Sequence, residues 1–146
     1  MTKLNIWDSN IGVEGATAIV NAAPTQMRTL CGDMFEEGQT EADLSGKKLG
    51  AEGAILVAWD LRAGFVSSSM NKLNILGNNI GDEGYDMLTQ VAEAKGIGSL
   101  CGLDEGQTES DLSSETTGFY LQPTDAKLIA WELTTSYVSS SIKKLK

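Results

Sequence analysis

A chain of 146 residues with a net charge of −9 is long enough to bury one hydrophobic core, and its acidity opposes nucleic acid and anionic membranes, which require clustered lysine and arginine. It contains no histidine, which removes the usual general base and with it every Ser-His or Cys-His mechanism. No apolar run approaches bilayer-spanning length, no secretory signal pattern opens the chain and no N-x-S/T site occurs, so a cytoplasmic protein with no membrane association is expected.

The chain states one pattern twice and begins it again. Met1-Thr2-Lys3-Leu4-Asn5 returns as Met70-Asn71-Lys72-Leu73-Asn74, and Ile142-Lys143-Lys144-Leu145-Lys146 opens a third statement. Leu30-Cys31-Gly32 matches Leu100-Cys101-Gly102, and Asp43-Leu44-Ser45 matches Asp111-Leu112-Ser113. Later, Trp59 matches Trp131, Phe65 matches Tyr137, and Val66-Ser67-Ser68-Ser69 matches Val138-Ser139-Ser140-Ser141. The offset grows after Ser113, which places an insertion between Ser114 and Tyr120. One domain, 1–146, is therefore expected, built of tandem copies at 1–69 and 70–141 plus a final strand at 142–146.

Each copy holds two smaller units, with strand starts near Leu4, Ala42, Leu73 and Ser110. A short alternating run followed by a Gly-bounded stretch of helical period reads as strand, turn, helix. The first unit gives a helix over Val13–Ala23, the second over Ala51–Val66, the third over Asp82–Lys95 and the fourth over Pro123–Tyr137. Asp82-Glu83 and Thr124-Asp125 place acidic groups in first turns, where the helix dipole favours them, and Pro123 suits a first helical position. Extra segments, Cys31 to Thr40 and Cys101 to Thr108, precede the second and fourth units.

The stretch LNILGNNIGDEGYDMLTQVA resembles the leucine-rich repeat of the ribonuclease-inhibitor type. Leu73, Ile75, Asn78 or Asn79, Ile80, Gly81, Gly84 and Leu88 carry the resemblance in the third unit. Leu4, Ile6, Asn10, Ile11, Gly12, Gly15 and Ala16 carry it in the first. Units two and four depart from the pattern: Ala42 and Ser110 replace the first strand leucine, Lys48 and Gly118 or Phe119 stand near the asparagine, and Asp125 stands where unit two has Gly53. The resemblance implies an α/β fold, a right-handed leucine-rich-repeat solenoid with a short parallel sheet on the concave face and helices on the convex face. It also implies a role in binding proteins.

In a strand with Leu4 and Ile6 inward, Lys3, Asn5 and Trp7 face outward. The corresponding triplets are Glu41, Asp43 and Ser45, then Lys72, Asn74 and Leu76, then Glu109, Asp111 and Ser113. Across one sheet the first column would read Lys3, Glu41, Lys72, Glu109, Lys144. Alternating charge of this kind sets strand order and register, at about 0.2–1 kcal/mol per pair. The functional alternative is a recognition surface with Trp7 and Leu76 as apolar anchors. Its candidate protein-binding residues are Trp7, Asn5, Asp43, Asn74, Leu76 and Asp111.

Cys31 and Cys101 read as small buried hydrophobes. In neighbouring-but-one solenoid units they would lie roughly 10 Å apart, beyond disulfide reach. Trp59 and Trp131 read as packing residues, and Phe65 and Tyr137 as closures over the core. Asp33, Glu36, Glu37, Glu41 and Asp43, echoed by Asp104, Glu105, Glu109 and Asp111, form acidic loops whose spacing does not match an EF-hand. No cofactor, metal site or catalytic residue is expected. The reading that follows is a non-catalytic protein-interaction scaffold with a protein partner. Two alternatives stand beside it: a self-assembling module that forms a homo-oligomer through its terminal strands, and a divalent-metal protein using the acidic loops.

Overall fold

A computed structural model describes residues 3–6, 9–24, 26–32, 35, 38–63, 70–103, 109–134 and 144–145. In chain order the elements are α1 (Gly12–Ala22), β1 (Glu41–Asp43), α2 (Gly50–Ala63), β2 (Lys72–Asn74), α3 (Gly81–Lys95), β3 (Glu109–Ser110), α4 (Ser114–Thr117), α5 (Pro123–Thr134) and β4 (Lys144–Leu145). The helix starts agree with the sequence reading to within a residue. The short α4 falls inside the inserted stretch and was not anticipated. Phe65 and Tyr137 lie outside the described residues.

Helices α1, α2 and α3 begin where they do because of one repeated turn. Asn10, Lys48 and Asn79 adopt φ of 56°, 59° and 51°, and Gly12, Gly50 and Gly81, two residues on, adopt 75°, 64° and 71°. The left-handed region tolerates asparagine and favours glycine, so the recurrent x-[Ile/Leu]-Gly grammar is a double left-handed step into a helix. The apolar residue between the two steps points inward: Leu49 and Ile80 are both buried.

The leucine-rich-repeat solenoid is not what forms. Among the described residues there are five helices and two separate two-stranded parallel sheets, β1–β2 and β3–β4, in place of one continuous parallel sheet. The physical reason lies in the segments that lead into the two extra stretches. Thr29–Cys31 and Ser99–Cys101 pair with the first strand of their own copy and occupy its edge. Leu4 and Ile6 donate to the carbonyls of Thr29 and Leu30 at 3.0 and 3.2 Å, and Leu73 and Ile75 donate to Ser99 and Leu100 at 2.8 and 3.0 Å. The expected five-residue charge column is broken accordingly. Glu41 and Lys72 do form an ion pair across β1–β2, and Glu109 and Lys144 are register partners in β3–β4. Lys3, however, bridges Thr29, and the second neighbour of Lys72 is Ser99.

Two apolar clusters hold these pieces. The larger gathers Leu73, Ile75, Ile80, Leu88, Leu100 and Leu128, and the smaller gathers Ala16, Leu30, Ile55, Leu56 and Trp59. Helix α2 contributes to both, and Met87 of α3 packs on both. Helices α2 and α3 approach closely at Gly84, where an added Cβ would lie 2.8 Å from the Cβ of Ala54. A side chain at that position drives the helices apart, and overpacking of a tight contact costs about 1–3 kcal/mol. Gly84→Val is therefore expected to lower stability by about 2 kcal/mol in chemical denaturation, although glycine is the poorer helix former.

Candidate functional site

The outer face of β1 and β2, extended by the Ser99–Gly102 segment, forms an open depression of about 250 Å³ lined by Glu41, Ala42, Asp43, Lys72, Asn74 and Gly102. Lys72 Nζ lies 3.4 Å from Glu41 Oε2, with the lysine side chain 22% exposed and the glutamate 67%. Such a partly exposed pair contributes at most about 1 kcal/mol, so its value is in fixing register and presenting both signs of charge. Asp43 Oδ1 accepts from the backbone N–H of Ser45 at 3.0 Å and from its hydroxyl at 2.7 Å. Asn74 Oδ1 accepts from Leu76 N–H at 3.2 Å. Aspartate and asparagine thus end each strand by holding the backbone two residues on.

Gly102 completes this wall because only glycine fits. Its φ is +76°, and an added Cβ would lie 2.9 Å from Cβ of Asn74. The first copy repeats the arrangement: Gly32 has φ +65°, and its Cβ would lie 2.8 Å from Cγ of Asn5.

Of the residues expected to bind, Asp43 and Asn74 are brought together in the depression. Asn5 belongs to the equivalent bridge with Cys31 in the first copy. Asp111 follows β3 and repeats the Asp43 turn, accepting from Ser113 N–H at 3.0 Å and its hydroxyl at 2.7 Å, but it is not part of the same depression. Leu76 is a correction: it is not an exposed anchor but 1% exposed in the main core. Strand β2 ends at Asn74, so the in–out alternation no longer governs Leu76. Trp7 lies outside the described residues, as do most carboxylates of the two acidic loops. Among the described residues no group of three or more metal-ligating side chains occurs, and no helix is long and apolar enough to cross a membrane.

The groups that hold the depression in place were not foreseen. Glu132, on α5 and fully buried, reaches the Ser99–Cys101 segment. Its Oε2 accepts from Ser99 Oγ at 2.5 Å, and its Oε1 accepts from Leu100 N–H at 2.7 Å and Cys101 N–H at 3.2 Å. Asp60, on α2 and 1% exposed, does the same in the first copy. It accepts from Thr29 Oγ1 at 2.5 Å and Leu30 N–H at 2.8 Å. The hydroxyls complete both arrangements by accepting from Cys31 and Cys101 N–H at 3.0 and 3.2 Å. One signal was present in the sequence: AWD and AWE each place an acid inside an otherwise apolar helical run, at matching positions of the two copies.

Burial pushes both carboxyls above the ordinary carboxylate range, and the hydrogen bonds from the facing segment pull back against it. Burial, with the adjacent carboxylate, also pushes the Cys31 and Cys101 thiols up, so both stay protonated at neutral pH and are poor nucleophiles. Comparison with protein-family models, with characterised proteins and with solved structures returns no match.

A carboxyl with a higher pKa folded than unfolded binds more protons in the folded state between the two values. Its contribution is complete below the unfolded value, about 4, and is lost as pH rises through the folded value. Stability measured by urea unfolding should consequently be greater at pH 5 than at pH 7.5, and Glu132→Gln should flatten that slope because glutamine does not titrate. Glu132→Ala leaves buried N–H donors without an acceptor and should cost about 3 kcal/mol at neutral pH.

Proposed function

We propose that the chain is a non-catalytic protein-interaction module working in the cytoplasm, with the β1–β2 depression as its contact surface. One observation carries this reading: side chains of both charge signs, Glu41, Asp43 and Lys72, flank an amide, Asn74, on one open face. Adjacent opposite charges suit a protein surface of complementary pattern, where they select the partner and its orientation more than they add affinity. The face is supported from behind by Glu132 through the Ser99–Gly102 wall, so it is preorganised and loses little conformational freedom on binding.

A second reading, self-assembly, is favoured by one feature. Strand β4 joins its own chain through two residue pairs with β3, Glu109↔Lys144 and Ser110↔Leu145. The same short pairing made by the β4 of a second copy would produce a swapped homo-oligomer.

The interaction reading is tested by selecting a displayed library of random peptides against the full chain and mapping the selected peptides by amide chemical shifts. Shifts centred on Glu41–Asp43, Lys72–Asn74 and Ser99–Gly102 are expected. Lys72→Gln should weaken binding about tenfold, the loss of one well-placed contact, with the fold unchanged by circular dichroism. Selection of no peptide, or shifts confined to another face, would contradict it.

A further inference from the structure

A second depression, of about 500 Å³, opens where the inserted stretch of the second copy folds back on the turns that follow β1 and β2. Its size falls within the roughly 300–1,000 Å³ of small-molecule sites. Lys48, Gly50, Gly77, Asn79, Tyr120 and Gln122 line it, over a floor that includes Phe119. Tyr120 is 80% exposed, the most exposed large apolar side chain among the described residues.

This arrangement is built, because each wall is tied down. Phe119 is fixed by Thr117, whose hydroxyl oxygen accepts from Phe119 N–H at 3.3 Å and whose hydroxyl donates to the Phe119 carbonyl at 2.9 Å. The Phe119 ring lies against glycine backbone, so closely that a Cβ at Gly77 would stand 2.7 Å from it and one at Gly46 3.5 Å. Opposite, the 1%-exposed Asp125 clasps two walls at once. Its Oδ1 accepts from Gly77 N–H at 3.0 Å and its Oδ2 from Gln122 N–H at 2.8 Å. Phe119 and Asp125 together hold the chain so that Tyr120 projects beside the opening.

The lining chemistry narrows the ligand. The chain carries 20 aspartates and glutamates, yet among the described residues no carboxylate lines this depression, whose one charged group there is Lys48. A single cation on a protein of net charge −9 does not recruit a polyanion. A purely apolar ligand would leave the amides of Asn79 and Gln122 without use. An aromatic ring beside amide donors and acceptors matches a molecule with one C–H face and a rim of hydroxyls. We propose that this depression binds a neutral sugar ring, stacked on Tyr120 with its hydroxyls hydrogen-bonded to Asn79, Gln122 and Lys48.

The test is a set of titrations of the full, isotopically labelled chain with cellotetraose, chitotetraose, maltotetraose and mannotetraose into the millimolar range, followed by amide shifts. At least one sugar should saturate the amides of Gly50, Gly77, Asn79 and Gln122. Tyr120→Ala should weaken that binding about tenfold, the size of one aromatic stacking contact, and Tyr120→Phe should retain it. Because Tyr120 is exposed, neither substitution threatens the fold. The proposal is overturned if all four sugars leave these amides unmoved, if Tyr120→Ala binds as tightly as the parent, or if adenosine monophosphate saturates the same amides more tightly than every sugar. The last result would make a nucleobase the stacking ligand.

Discussion

A carboxylate removed from water is tolerated only where donors replace its hydration, and this constraint ties the helices to the strand-like segments twice. Asp60 and Glu132 each sit in the apolar face of a helix and find their donors on a Thr/Ser-Leu-Cys segment from an earlier part of the same copy. Losing solvation costs several kcal/mol per charge, whereas a hydrogen bond to a charged group returns about 1.5–3 kcal/mol. The arrangement is therefore stable only when two or more donors converge. Partial convergence would leave a buried charge, so these contacts specify geometry more than they add stability. Through Ser99, Leu100 and Cys101, Glu132 also fixes the segment that ends at Gly102, a wall of the polar depression.

Asn78 performs a related task without charge. Its side-chain oxygen accepts from Lys47 and Leu49 N–H at 2.8 and 3.3 Å, and its amide nitrogen donates to the carbonyls of Leu44, Ile75 and Leu76. One buried side chain thus satisfies two consecutive turns, the one after β1 and the one after β2, and sets the spacing between them. Asp125 links the same turn, through Gly77, to the start of α5. Both depressions are therefore bounded by backbone that buried polar side chains hold in place.

Helices α1, α2 and α3 were legible in the sequence because their starts are marked by backbone chemistry: Asn10-Ile11-Gly12, Lys48-Leu49-Gly50 and Asn79-Ile80-Gly81 each make two left-handed steps around an apolar residue. The β1–β2 register was legible as well, since Glu41 and Lys72 announce their pairing by charge. The sheet as a whole was not, because parallel neighbours are chosen by long-range contacts. The segments that occupy the edges, around Thr29 and Ser99, look like loops when read locally. Leu76 departs from its expected place for a similar reason: alternation holds only within a strand, and β2 ends two residues earlier, at Asn74. Of the candidate site, the outward-facing triplets of the strands pointed to Asp43 and Asn74, but the groups that position them are distant in sequence. Only their matching places beside Trp59 and Trp131 betrayed Asp60 and Glu132.

Two buried carboxyl groups, each held by a facing backbone segment, fix both copies of the fold. Side-chain carboxyl carbon resonances followed through a pH titration of the intact protein report on each group separately. Asp60 and Glu132 should each titrate above the ordinary carboxylate range, with the amide shifts of Leu30 and Leu100 moving in the same steps. If both groups instead titrate at the ordinary carboxylate value, about 4, and those amides stay still, the carboxyls face water and do not hold the Thr29–Cys31 and Ser99–Cys101 segments.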